Sequence, residues 1–220
     1  MSFAAADMPG PFDRVPKERT IQLAFKRLID VVLSAICLIL ACPLLAVAAV
    51  AIRVEDGGPI LFRQVRIGAG SRPFGILKLR TIRVCDCDER GLIQVTAADP
   101  RLTRVGRLLR KTNLDEIPQL WNVLAGDMSL VGPRPHVPGM LAAGIPYEAL
   151  VDEYQHRHRM RPGLTGLAQS RGLRGPTDDP ARAIRRIRCD IEYIREFSLA
   201  LDFRIMIRTA LNELRGGTGI

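Results

Sequence analysis

Residues 31–52 read VVLSAICLILACPLLAVAAVAI, 22 consecutive positions without a charge. As an α-helix this run reaches roughly 33 Å, enough to cross the hydrocarbon core of a bilayer, so on length and composition it is a membrane segment. It exceeds the roughly 7–15 apolar residues of a secretory signal, and no small-residue cleavage site leads from it into a secreted-looking domain. Positive charge lies on both sides: Lys17, Arg19, Lys26 and Arg27 precede it, and Arg53, Arg63, Arg66, Arg72, Lys78, Arg80 and Arg83 follow. The positive-inside rule keeps both flanks in the cytoplasm. Pro43 removes a helix hydrogen bond and clashes with the carbonyl four residues back, which kinks or breaks the helix near its middle. A helix, a break at Cys42-Pro43 and a second helix returning to the same side satisfies both facts. A single kinked span is the commoner use of proline in membrane helices, and the residues alone leave both open.

Outside this segment the 220-residue chain has room for one domain with an appendage. Lys+Arg exceed Asp+Glu by 32 to 23, a net charge of +9, which favours anionic partners: phosphorylated small molecules, an acidic membrane surface or nucleic acid. At 5% aromatic residues the chain is poorly equipped to stack bases, so nucleic acid is not expected as a partner. The 47% hydrophobic content excludes a wholly disordered chain. The five cysteines, at 37, 42, 85, 87 and 189, form no CxxC pair and have no histidine at metal-ligand spacing, so neither a disulfide framework nor a zinc site is expected.

Residues 1–20 form a loose, proline-containing leader, 21–53 the membrane helix and 54–220 a cytosolic unit. In the last, Ile60-Leu61-Phe62 and Phe74-Gly75-Ile76-Leu77 flank a basic loop with Gly68, Gly70 and Pro73, the pattern of two short strands. Neither a dinucleotide fingerprint nor a Walker A loop is present. Residues 101–111, RLTRVGRLLRK, place four arginines on one side and Leu102, Val105, Leu108 and Leu109 on another, a basic amphipathic helix suited to the lipid interface. A second such stretch runs near 181–210. Asn113 followed by Glu116 resembles a capping box, which puts Asp115 and Glu116 in a first helical turn where the dipole favours anions. Adjacent acids at such a point can serve as nucleophile, as ligands of a hard cation, or merely as complements to the dipole. Gly132-Pro133-Arg134-Pro135 and Arg161-Pro162-Gly163-Leu164-Thr165-Gly166 are rigid turns whose arginines and amides suit phosphate.

Taken in order, KRLIDV at 26–31, the proline-interrupted apolar segment, FRQVRIG at 62–68, FGILKLRT at 74–81, LRKTNLDEIPQLWNVLAGDMSLVGPRP at 109–135 and RPGLTGLAQ at 161–169 resemble the bacterial sugar transferases. These are monotopic polyprenyl-phosphate phosphoglycosyl transferases. The resemblance covers about residues 20–210. It implies transfer of a sugar-1-phosphate from a UDP-sugar to undecaprenyl phosphate at the cytoplasmic face of the bacterial inner membrane. UMP is released, as the first step of exopolysaccharide or related glycan assembly. It implies Asp115 as the nucleophile through a covalent phosphosugar intermediate, Glu116 as its assistant, Mg²⁺ as cofactor held by the two acids, and Lys78, Arg80, Arg134 and the weaker Arg110 at the phosphates. It also favours the re-entrant form of the membrane helix, with the break at Cys42-Pro43. Cys42 stands where a serine is common in the family, and His136 where a glutamate often follows the PRP turn.

The fold expected is therefore α/β and mostly helical: a monotopic membrane protein with a re-entrant helix-break-helix, interfacial amphipathic helices and a small strand pair. Its partners would be a UDP-sugar, undecaprenyl phosphate and inner-membrane lipids, and a homodimer is compatible with the base rate for symmetric assemblies. A membrane-tethered basic binding protein without chemistry also explains the charge, but not the adjacent acids between two arginine-proline turns. The identity of the sugar and the glycan pathway are not written in these motifs.

Overall fold

A computed structural model of the chain describes residues 17–86, 96, 99–175 and 179–214. The first sixteen residues of the expected leader and Cys87 lie outside them. The elements, in order, are α1 (Lys17–Asp56), β1 (Leu61–Ile67), β2 (Pro73–Leu79), α2 (Arg104–Lys111), α3 (Gln119–Ala125), β3 (Ser129–Val131), β4 (Leu141–Ala142), β5 (Ile145–Pro146), α4 (Tyr147–Leu150), β6 (Gly163–Thr165), α5 (Leu167–Ser170), α6 (Pro180–Arg195) and α7 (Leu199–Leu214). Short 3-10 turns at Leu114–Glu116 and Tyr154–Arg159 matter for the site.

The apolar run lies within α1, which at 40 residues outlasts the expected segment at both ends and takes in positions 17–20 of the supposed leader. Helical backbone continues through Pro43, so the expected interruption at Cys42-Pro43 is corrected: proline costs α1 one ladder hydrogen bond there without ending it. Cys42 and Pro43 are exposed. The most apolar 18-residue window has a mean hydropathy of 2.8, yet only 11% of it is buried, whereas a core helix would be mostly covered. Ile39, Leu40 and Val47 stand out at 69–75% exposure. Surface of this kind is unfavourable in water at about 25 cal/mol per Å², so α1 is suited to association with a membrane.

Both flanks of α1 fasten to one body. At the first, Lys26 donates to the Val131 carbonyl (2.9 Å) and pairs with Asp202 on α7 (2.6 Å). Arg27 reaches the Val123 and Leu124 carbonyls at the C-terminus of α3 (2.6 and 2.9 Å), the first of which the Gly126 amide also caps, and Asp30 accepts from the Leu130 amide. At the other flank Ala48 and Ile52 pack against Leu79 and Leu109. Glu55 accepts the amides of Arg104 and Val105, placing a carboxylate at the positive end of α2.

β1 and β2 form the expected antiparallel pair, in register from Leu61 opposite Leu79 to Ile67 opposite Pro73. The supposed basic loop is thus mostly strand. Two further pairs were not anticipated, β4 with β5 and, more consequentially, a parallel pairing of β3 with β6. α6 turns Ala183, Ile187 and Ile191 onto Tyr147 and Tyr154, and Tyr193 and Ile194 into the neighbouring cluster. Its apolar face is consumed inside, which removes it from the interfacial stretch expected near 181–210. α7 behaves differently: Ile205 is buried while Phe203, Ile207 and Leu211 form an exposed stripe with Arg204 and Arg208 exposed beside it. α2 starts three residues later than expected, because Thr103 is its N-cap, its hydroxyl accepting from the Gly106 amide (2.8 Å), while Arg101 pairs with Asp99 (2.6 Å) ahead of the helix; α2 leaves Arg104, Arg107, Leu108 and Lys111 exposed.

Candidate active site

The acid pair sits in the 3-10 turn Leu114–Glu116 between α2 and α3. The expected capping box does not form. Asn113 adopts a left-handed conformation (φ 55°) and its side chain donates instead to Glu213 on α7 (2.8 Å). Pro118 accounts for this: lacking an amide hydrogen, it is tolerated at the very start of a helix, so α3 begins after it and the acids lie ahead of its first turn.

Asp115 is buried, and among the described residues its carboxylate accepts no hydrogen bond. Burial raises its pKa, Glu116 adds to the rise, and Lys78, Arg110 and Arg134 oppose it. Glu116 has a contrasting environment. Its Oε1 accepts from Lys78 at the end of β2 and from Arg134 in the turn after β3, each at 2.7 Å, while Oε2 has only a 3.5 Å contact with Arg134. Burial would raise this carboxyl, but Arg134 and Lys78 together hold it well below the usual range. One acid is thus buried without a hydrogen bond, and the other is a fixed anion gathering two cations.

Of the expected phosphate ligands, Lys78 and Arg134 meet at Glu116, and Arg110 is turned the same way, donating to Thr81 Oγ1 at 2.8 Å. Burial lowers the Arg110 pKa, against the pull of Asp115 and Glu116. Arg80 is not brought to the acids. It is buried, its Nη1 lies 2.6 Å from the Asp56 carboxylate and its Nε 2.6 Å from the Pro59 carbonyl, so it fastens the end of α1. Nor do the two glycine-proline turns present their amides to a ligand. Gly132 donates to Thr165 and Gly163 to Pro133 (both 2.9 Å), so the turns grip each other through the β3–β6 pairing. A Cβ at Gly163 would lie 2.1 Å from the Gly132 nitrogen, which is why glycine is required there.

Residues 21–216 match the family described as bacterial sugar transferase. The chain belongs to this family. It is similar to the exopolysaccharide production protein PSS of Rhizobium leguminosarum bv. phaseoli, with 48% identity over 199 residues, 90% of this chain and 100% of that protein. It is also similar to a UDP-glucose:undecaprenyl-phosphate glucose-1-phosphate transferase of Caulobacter vibrioides, 50% identical over 200 residues, 91% of this chain and 72% of the relative. A protein of the same description in Escherichia coli K12 is 43% identical over 184 residues, 84% of this chain but 39% of the longer relative.

In this sugar transferase several residues that shape the site were not anticipated. Asn122 on α3 accepts from the Leu77 amide (2.9 Å) and donates to the Gly75 carbonyl (2.8 Å), completing the free edge of β2 immediately before Lys78. A lone asparagine within the apolar LWNVL stretch was the available signal. Arg157 and Asp190, buried and ion-paired at 2.6 Å, offered none, since neither belongs to a turn or a periodic pattern that marks it out.

Proposed function

We propose that this chain transfers a sugar-1-phosphate from a UDP-sugar to undecaprenyl phosphate, opening exopolysaccharide assembly, with Asp115 as the nucleophile. The observation that carries the assignment of Asp115 is its setting: a buried carboxylate without a hydrogen bond, surrounded by Lys78, Arg110 and Arg134, in a body fastened to an exposed apolar helix. A carboxylate oxygen attacks the β-phosphorus that bears the sugar. The bond from that phosphorus to the bridging oxygen breaks, and UMP leaves with its electrons. An oxygen of the lipid phosphate then attacks the acyl phosphate, the bond to Asp115 breaks and the carboxylate returns. No proton must be removed from Asp115, which fits a Glu116 held ionised by two cations and therefore a weak base. Glu116 instead keeps Lys78 and Arg134 where an incoming diphosphate meets positive charge. UDP-glucose is the first donor to try, because the Caulobacter and E. coli relatives are named for it.

Mg²⁺ fits the residues present. Among the described residues no group of three or more His, Cys, Asp or Glu side chains could hold a metal, which argues against a cage built from protein alone. Asp115 with the loosely held Oε2 of Glu116 suits an ion normally bound by one or two carboxylates and substrate phosphates. When bound, it supplies charge neutralisation at the diphosphate.

The proposed setting is the inner membrane, with α1 bent at Pro43 without a break in the helix and both its flanks on the cytoplasmic side. Supporting this, each flank is tied to the same body, one through Lys26, Arg27 and Asp30 and the other through Glu55 and Asp56. The stripe of α7 and the exposed basic face of α2 would rest on lipid.

The test is to mix the purified protein with Mg²⁺ and UDP-glucose without lipid. A stoichiometric burst of UMP and a phosphosugar mass on the peptide carrying Asp115 are expected. UMP that appears only with undecaprenyl phosphate, with no adduct trapped, would favour direct displacement.

A further inference from the structure

Arg134 reaches Glu116 from an irregular segment between two prolines, which carry no amide hydrogen to anchor it. The Arg134 amide donates to Asp190, and successive carbonyls are taken from different directions: that of Pro133 by the Gly163 amide (2.9 Å), that of Arg134 by Arg157, that of Pro135 by Arg66 (3.2 Å) and that of His136 by the Ile67 amide (3.0 Å). The contact to Arg134 itself is the shortest, 2.5 Å from Arg157 Nη2.

Arg157 is 1% exposed, lies in the turn Tyr154–Arg159, and takes no part in the reaction derived above. Its Nε and Nη2 both donate to Asp190 Oδ2 on α6, at 3.2 and 2.6 Å. His136 Nε2 lies 3.2 Å from the same Nη2, and Nδ1 lies 3.0 Å from the Tyr154 hydroxyl. Nη2 carries two hydrogens, which the Arg134 carbonyl and Asp190 take at 2.5 and 2.6 Å, so the His136 ring is a third, longer neighbour of the guanidinium. The face of the Tyr154 ring covers the guanidinium, 5.3 Å from centroid to Cζ. Burying an arginine-aspartate pair is poorly rewarded in stability, because desolvation offsets most of the attraction and apolar residues can do as well. What a planar, rigidly held guanidinium supplies here is direction: it fixes the backbone of the residue whose side chain meets the acid pair.

We infer that Arg157, oriented by Asp190, is a positioning residue for phosphoglycosyl transfer, acting through the Arg134 carbonyl to aim the Arg134 guanidinium at Glu116 and the donor's diphosphate. This rests on the transferase reading above. Its consequence is a coupling: Arg157 matters only while Arg134 is present to be aimed.

The test is a double-mutant cycle on UMP release by the full chain in lipid nanodiscs. Arg157→Gln combined with Asp190→Asn removes both charges together, leaving no buried ion alone. It is expected to lower kcat about 10- to 100-fold with little change in KM, short of the roughly 100- to 1000-fold expected on losing a charge-stabilising donor outright, as in Arg134→Gln. In the Arg134→Gln background the same pair of changes is expected to cost less than about twofold. Equal losses in both backgrounds would show a purely structural role and overturn the inference. Should the uncharged pair not fold, judged by its thermal midpoint, Arg157→Lys keeps the charge but loses the planar fork. A loss of about fivefold confined to the Arg134 background supports positioning, and no loss there overturns it. Absence of UMP release by the unmodified chain would instead defeat the transferase reading.

Discussion

Asp115 and Arg80 illustrate opposite fates for residues picked out by motif. Asp115 lies where a nucleophile is useful, and replacing it by asparagine removes the attacking oxygen anion without changing shape. Asp115→Asn is expected to reduce UMP release by many powers of ten and to abolish the phosphosugar adduct in the peptide mass spectrum, whereas Glu116→Gln, which loosens Lys78 and Arg134, should slow turnover while the adduct still forms. Arg80 belongs to the same basic series as Lys78 but is spent on Asp56 and Pro59. Arg80→Gln takes the ion-pair partner from the half-buried Asp56 and a donor from the Pro59 carbonyl, and is expected to cost about 1–2 kcal/mol in denaturant unfolding. In the folded fraction, KM for the UDP-sugar should stay within about twofold of the unmodified protein, a result opposite to that of a phosphate ligand. The residue types of the site were legible, since acids and basic residues following a long apolar segment point to phosphate chemistry. Which basic residue serves the site was not, because Lys78 and Arg80 find their acids 38 and 24 positions away in the chain.

At the scale of elements, the apolar run of α1 and the alternation around β1 and β2 announced themselves, because each is a local pattern with a single period. The β3–β6 pairing did not: it joins two three-residue strands more than thirty positions apart whose glycines resemble ordinary turn residues. Its closeness makes it testable. Gly163→Ala puts a methyl group 2.1 Å from the Gly132 nitrogen, so the strands must separate, at a cost of about 2 kcal/mol or more and with a fall in UMP release as the Arg134 turn shifts. The turn Tyr154–Arg159 carries a different sensitivity. Burial, reinforced by Arg157, pushes the His158 pKa down to about 4, and His136 is likewise driven well below its usual value by burial and by Arg157. Between the ordinary histidine value near 6.5 and the depressed folded value, the unfolded chain binds protons that the folded chain refuses, so stability is lost as pH falls through that window. Unfolding free energy is expected to drop by up to about 3 kcal/mol between pH 7 and pH 4 through His158, and His158→Asn should flatten that slope in denaturant titrations at successive pH values.

For the whole molecule, the deciding feature is that both flanks of α1 return to the same body. Single cysteines at positions 20 and 72, in a background without the native five, are both expected to resist a membrane-impermeant thiol reagent applied to intact cells and to react once the cells are opened. Labelling of position 20 alone from outside would establish a full span. Pro43→Ala restores a missing helix hydrogen bond and is expected to shift part of the population toward that spanning form, read as partial outside labelling at position 20.

The amino-acid sequence by itself determined that this chain carries a long apolar helix, a basic strand pair and an acid pair between two arginine-proline turns, and so its family. Those features are encoded in runs, alternations and short spacings that need no partner to be recognised. Only the tertiary structure decided how the charges are distributed: Lys26 with Asp202, 176 positions apart, Glu116 with Lys78 and Arg134, and Arg157 with Asp190 behind them. The physical reason is that a buried charge must find a counter-charge wherever packing happens to bring one, and packing is set by the sum of many apolar contacts rather than by any local pattern. Asp115 is the residue that this distribution leaves without a hydrogen bond among the described residues, its burial visible only once α2, α3 and the turn between them are folded together.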